Sequence, residues 1–151
     1  MNRITQLTLV AFGCVVLFIS CSKSSDSVPD NPAVNMSALI NGSSWTSTLG
    51  GASIVYDTAH GTEKLILGGT TLVDTVTTAI SISIDSCTGV GTYKITAAGA
   101  VQATYLLHTV SLATSGWVTI QKYSNTQVKG TFYFYAGTTN ISAGSFNLHV
   151  Q

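Results

Sequence analysis

Asp57, His60 and Glu63 lie close together in one short stretch, YDTAHGTEK, and are the first residues in the chain that invite a chemical reading. Two carboxylates and an imidazole can hold a divalent cation or pass a proton. Their spacing matches no metal-binding signature, and a polar hairpin loop uses the same residue types. They are weak candidates for a metal site or for the centre of an envelope hydrolase. The chain contains no H-E-x-x-H, no G-x-S-x-G elbow and no phosphate-cradling glycine loop. His108 and His149 fall in segments that read as strands, with His149 on a solvated face. No catalytic residue and no cofactor can be assigned, so the expectation is a protein that is not an enzyme.

A second group is aromatic. GWVTIQKY and VKGTFYFY read as a hairpin across SNTQ. Val118, Ile120, Phe132 and Phe134 then point inward, and Trp117, Tyr123, Tyr133 and Tyr135 share the other face. An even register sets Thr119 opposite Tyr133 and Trp117 opposite Tyr135. An exposed aromatic face with few charges stacks on sugar rings or docks a protein. A face covered by other strands is a second core instead, and the sequence leaves both readings open.

Charge excludes one class of partner. Charged residues are 8% of the chain and the net charge is zero. After Arg3 the only basic residues are Lys23, Lys64, Lys94, Lys122 and Lys129, scattered with no stripe in the sequence. Binding a phosphate backbone needs clustered cations, so nucleic acid is not expected as a partner.

These side chains need a scaffold, and its pattern is β. From Val34 onward there is no proline, while Gly, Thr and β-branched residues abound. AISISID sets Ile80, Ile82 and Ile84 on one face and Ser81 and Ser83 on the other; SFNLHV aligns Phe146, Leu148 and Val150. Further strands are predicted at Asn35–Ile40, Ser44–Leu49, Ser53–Tyr56, Lys64–Gly68, Thr92–Thr96 and Val101–His108. Turns are predicted at NGSS, LGG, HGT, GGT, CTGVG and YSNTQ. TAAGAVQATYLLHTV could hold a short helix, but a strand from Val101 fits better. The expectation is one all-β domain over 34–151, an antiparallel β-sandwich or partly closed barrel of about nine or ten short strands.

The N-terminus carries its own signal. A short polar start with Arg3 precedes the apolar run Leu7–Ile19, which is shorter than the about 20 residues a spanning helix needs. Leu17, Phe18, Ile19, Ser20 and Cys21 together resemble a bacterial lipobox, with Phe18 where Leu is commoner. Cys14 is a rival that would leave VVLFI at the start of the mature chain. The resemblance implies a signal peptide over 1–20, lipid on Cys21 and a Ser- and Pro-containing tether over 21–33. The tether reaches about 40 Å when extended. Cys14 is then removed and Cys21 is lipidated, so Cys87 has no partner for an intramolecular disulfide and reads as a small buried residue.

ALINGSSW, GTYKI, SGWVTIQKYSNTQVKGTFYFYA and ISAGSFNL, in this order, resemble a family of small Bacteroidota lipoproteins with a β-rich domain of no assigned function. The residues are Asn41, Gly42 and Trp45; Gly91, Thr92 and Tyr93; Gly130, Thr131, Phe132 and Phe134; Gly144 and Phe146. The resemblance implies an all-β lipoprotein and brings no catalytic residues. The triplets DSV, DTA and DTV also resemble Bacteroidota O-glycosylation sites, with Ser27, Thr58 and Thr75 as acceptors. The expected protein is a non-enzymatic binding or structural module, anchored by lipid in the cell envelope at the outer membrane, facing the periplasm or the surface. Its expected partners are the membrane, a glycan or an envelope protein. An accessory glycan-binding lipoprotein is the alternative, and an envelope hydrolase the third.

Overall fold

The computed structural model describes residues 35–151. Cys21, Ser27, the expected signal peptide and the expected tether lie outside the described residues. Every regular element described is a strand: β1 Asn35–Ile40, β2 Ser43–Thr46, β3 Leu49–Asp57, β4 Thr62–Val73, β5 Val76–Cys87, β6 Gly91–Thr96, β7 Val101–Leu107, β8 Thr109–Tyr123, β9 Gln127–Ala136 and β10 Thr139–His149. They form one antiparallel sheet in the order β2-β1-β10-β9-β8-β7-β5-β4-β3, with β6 beside β8. The sheet curls into a half-barrel. Its two ends approach each other where Ala52 of β3 bridges Val150 and accepts a hydrogen bond from the Gln151 amide at 2.9 Å.

Alternation decides what goes inside. Ile80, Ile82 and Ile84 are buried, as are Val118, Ile120, Phe132, Phe134, Phe146 and Leu148, in one continuous core. These strands thus remove an apolar row from water and leave a row of largely hydroxyl, amide and aromatic side chains outside. Trp45, the aromatic of the NGSSW opening, is also core; its indole N–H donates to Thr78 Oγ1 at 2.7 Å and ties β2 to β5. Asn41 and Gly42 both have positive φ, the geometry of a two-residue type I′ turn joining β1 to β2.

Two predicted turns are not turns. Leu49–Gly51 lies inside β3, and Gly68–Thr70 lies inside β4. The glycines there serve close approach. A Cβ at Gly69 would lie 2.9 Å from Cβ of both Met36 and Ser47, which cross over that point from β1 and the end of β2. The turn between β4 and β5 is instead at Asp74–Thr75, where Asp74 takes φ 57°. β8 is also longer than the WVTIQKY segment suggests. Its first part pairs with β7, and its second part runs between β6 and β9. The α-carbon of Gly116 lies so near β9 that an added Cβ would be 2.6 Å from Cβ of Phe134. His108 sits in the corner between β7 and β8, with φ 62°, rather than in a strand.

Candidate functional site

The outer face of β6, β8, β9 and β10 carries the residues that could bind. Trp117, Tyr133 and Tyr135 are exposed at 38%, 44% and 45%. Among the described residues no strand or loop covers them, so the second-core alternative does not hold for these three. Their register differs from expectation: Trp117 faces Tyr133, Thr119 faces Thr131, and Ser115 faces Tyr135. The difference is two residues: one comes from the turn, and one from a bulge between Ile120 and Lys122, where Gln121 is the extra residue. The turn pairs Tyr123 with Val128, and the bulge then shifts the ladder by one.

The same bulge corrects the aromatic set. One extra residue reverses which side the next side chain faces. Tyr123 therefore packs against the core instead of joining Trp117. Its hydroxyl donates to Glu63 Oε2 at 2.6 Å. A second bulge, at Asp85–Ser86 opposite Lys64, turns Cys87 inward in the same way and sets it opposite Glu63. The Cys87 thiol lies 3.7 Å from the Tyr93 hydroxyl, which donates to the Gly89 carbonyl at 2.7 Å. Burial, and then the Glu63 carboxylate, push the Tyr123 phenol well above its ordinary value. Every polar group in this cluster has a partner, which makes it a satisfied structural network at one end of the half-barrel.

Asp57, His60 and Glu63 are not brought together. Asp57 Oδ2 meets His60 Nδ1 at 2.7 Å, and Oδ1 accepts the Ala59 amide at 2.9 Å. These bonds, His60 first, hold the Asp57 carboxyl below its usual value. Glu63 is turned away to Tyr123. The cleft beside this turn, about 730 Å³, is open and its charged groups are already paired, Lys64 with Asp85 at 2.9 Å. Among the described residues no group of three His, Cys, Asp or Glu could hold a metal. Thr58 and Thr75 both lie exposed in turns, Thr58 beside the Asp57–His60 pair and Thr75 between β4 and β5.

Around the aromatic residues the face is built from neighbouring strands. Lys94 of β6 is the partner of Trp117, and its Nζ lies 5.9 Å from the indole centroid. Next to this row runs a row of hydroxyls. Thr92, Thr119, Thr131, Ser145, Ser37 and Thr46 are successive cross-strand partners over six strands. Thr92 and Thr119 hydroxyls are 3.0 Å apart, and Ser37 and Ser145 hydroxyls 2.9 Å. A shallow groove of about 380 Å³ joins the two rows between Trp117, Thr131, Tyr133 and Gly144. Beyond the hydroxyls, Lys122 and Lys129 face each other. Lys94, Lys122 and Lys129, scattered in the sequence, thus share one face. Only the pairing of β6 with β8 could have revealed Lys94, and no local pattern carries that.

No curated protein and no solved structure matches the chain. A family described as "Domain of unknown function (DUF6252)" matches residues 30–148, most of the sequence and nearly all of the described domain. By that match the chain belongs to the DUF6252 family.

Proposed function

We propose that the protein is a non-enzymatic binding module, held in the cell envelope by lipid on Cys21, and that its ligand is a glycan. The exposed cross-strand pair of Trp117 and Tyr133 supports this most directly. A flat aromatic surface offers a sugar ring its apolar side, and the hydroxyl row beside it offers hydrogen bonds to the ring substituents. Unlike the Glu63–Tyr123 cluster, this face is open to a large ligand. The absence of any catalytic motif in the sequence supports a binding role, and the lipobox-like LFISC supports the anchor.

The test is a glycan array probed with full-length protein in detergent, beside Trp117→Ala. Retained glycans that the variant loses support the reading. An array with no hits, or equal binding by the variant, removes it. A hydrolase activity of the purified protein that one point mutation abolishes removes the non-enzymatic role.

A further inference from the structure

We infer that the glycan bound by this face is an acidic polysaccharide, with Lys94 and the Lys122–Lys129 pair as its anion contacts. This rests on the glycan-binding reading and adds a charge requirement to it.

Charge is segregated in the fold. The strands β1, β2, β6, β8, β9 and β10 contain Lys94, Lys122 and Lys129 and not one acidic residue. The four acids of the described residues, Asp57, Glu63, Asp74 and Asp85, all lie on β3, β4, β5 and their turns. Lys64, the remaining lysine, is paired with Asp85 there. Among the described residues Lys94, Lys122 and Lys129 have no carboxylate partner. The face is therefore cationic although the chain is neutral overall.

Lys122 and Lys129 are directly opposite each other on β8 and β9. Like charges in that position are about 5 Å apart at Cβ and oppose pairing of the strands. Lys122 Nζ donates to the neutral Gln127 Oε1 at 2.5 Å, and Gln127 Nε2 donates to Asn147 Oδ1 at 2.6 Å. These bonds orient one ammonium and leave both charges uncompensated. An anion bridging the pair converts a repulsive contact into an attractive one.

Lys94 supplies a third ammonium without a carboxylate partner, at the other side of the hydroxyl row. Its Nζ lies over the Trp117 ring, 5.9 Å from the centroid, so a sugar that stacks there displaces the ammonium and leaves it beside the acidic substituent. On β9 the outward residues Lys129, Thr131 and Tyr133 follow at every second position, about 13 Å from first to last. A single sugar ring cannot touch both ends, whereas a chain laid along the strand can. A bilayer surface also attracts lysines, but it takes apolar side chains between them, and here the intervening row is hydroxyl.

The test measures full-length protein in non-ionic detergent against polygalacturonate, alginate and hyaluronate, and against the fully methyl-esterified form of each. At least one acid polymer is expected to bind about tenfold more tightly than its ester. That preference is expected to fade toward about 1 M salt, where charges are screened beyond about 3 Å. The double variant Lys122→Gln, Lys129→Gln, which keeps Lys94, is expected to lose most of the preference. Equal binding of acid and ester, or an unchanged double variant, overturns the inference and leaves the glycan reading standing. No binding to these polymers or to a neutral glycan array overturns both. Lysine-dependent adsorption to phosphatidylglycerol vesicles with no polysaccharide bound assigns the face to a membrane and overturns it as well.

Discussion

The ring of Phe146 lies across Gly130, its cross-strand partner on the neighbouring strand. A Cβ at position 130 would be 2.6 Å from Cζ of that ring. Phe132 covers Gly144 in the reciprocal sense, with Cδ2 and Cε2 each 2.6 Å from the same hypothetical atom. The GTF and GSF motifs are thus two halves of one packing device, in which each glycine clears the space the other strand's phenylalanine fills.

Gly130→Ala is expected to destabilise the domain by about 1–3 kcal/mol, because the added methyl meets both a buried ring and the Thr119 carbonyl. Phe146→Ala leaves a cavity and is expected to cost about 3–5 kcal/mol. Combining them relieves only the ring contact, so the double variant should remain below the wild type. Chemical denaturation of the three variants checks this, and a wild-type midpoint for Gly130→Ala refutes it.

Trp45 and Trp117 should behave as opposites. Trp45→Ala is expected to cost about 3–5 kcal/mol, since a buried indole and its hydrogen bond to Thr78 are both lost. Trp117→Ala removes a surface ring and should change stability by less than about 1 kcal/mol. Iodide should quench Trp117 selectively, and bound glycan should protect it.

Tyr123 should keep its proton above the ordinary tyrosine range. Its folded-state value is raised by burial and by the Glu63 carboxylate, and Tyr105 is raised by burial alone. A raised value stabilises the fold fully below the unfolded tyrosine value of about 10 and is lost as pH climbs through the folded one. Absorbance titration of the six tyrosines should therefore show a late, unfolding-coupled phase that Tyr123→Phe diminishes. A single ordinary transition in the wild type is the contrary result.

Cys21→Ser should release the protein from membranes to the soluble fraction, because more than one acyl chain is needed for stable anchoring. Detergent phase partition and intact mass report it. A variant that still partitions with detergent rules out Cys21 as the anchor.

The inward residues were legible because side-chain direction is a local property of a strand. Ile80, Ile82 and Ile84 needed no knowledge of their neighbours. Register was not legible, since Gln121 and Ser86 are bulges only with respect to β9 and β4. Those two residues misplaced Tyr123 and hid the cluster of Cys87, Tyr123 and Glu63. Gly69 was misread for a related reason: a turn and a close approach call for the same residue, and the approaching Met36 and Ser47 come from distant sequence. The outward placement of Trp117, Tyr133 and Tyr135 was legible, whereas their cationic surroundings depend on β6 docking beside β8.

The strand order also sets how force travels. Any pull on the chain before Asn35 enters β1, which is hydrogen-bonded to β10 on one edge and β2 on the other. β9, which carries Tyr133, is the next strand after β10. If, as proposed, the chain is tethered before Asn35 and a ligand is held at Tyr133, a load between the two crosses two ladders, β1–β10 and β10–β9.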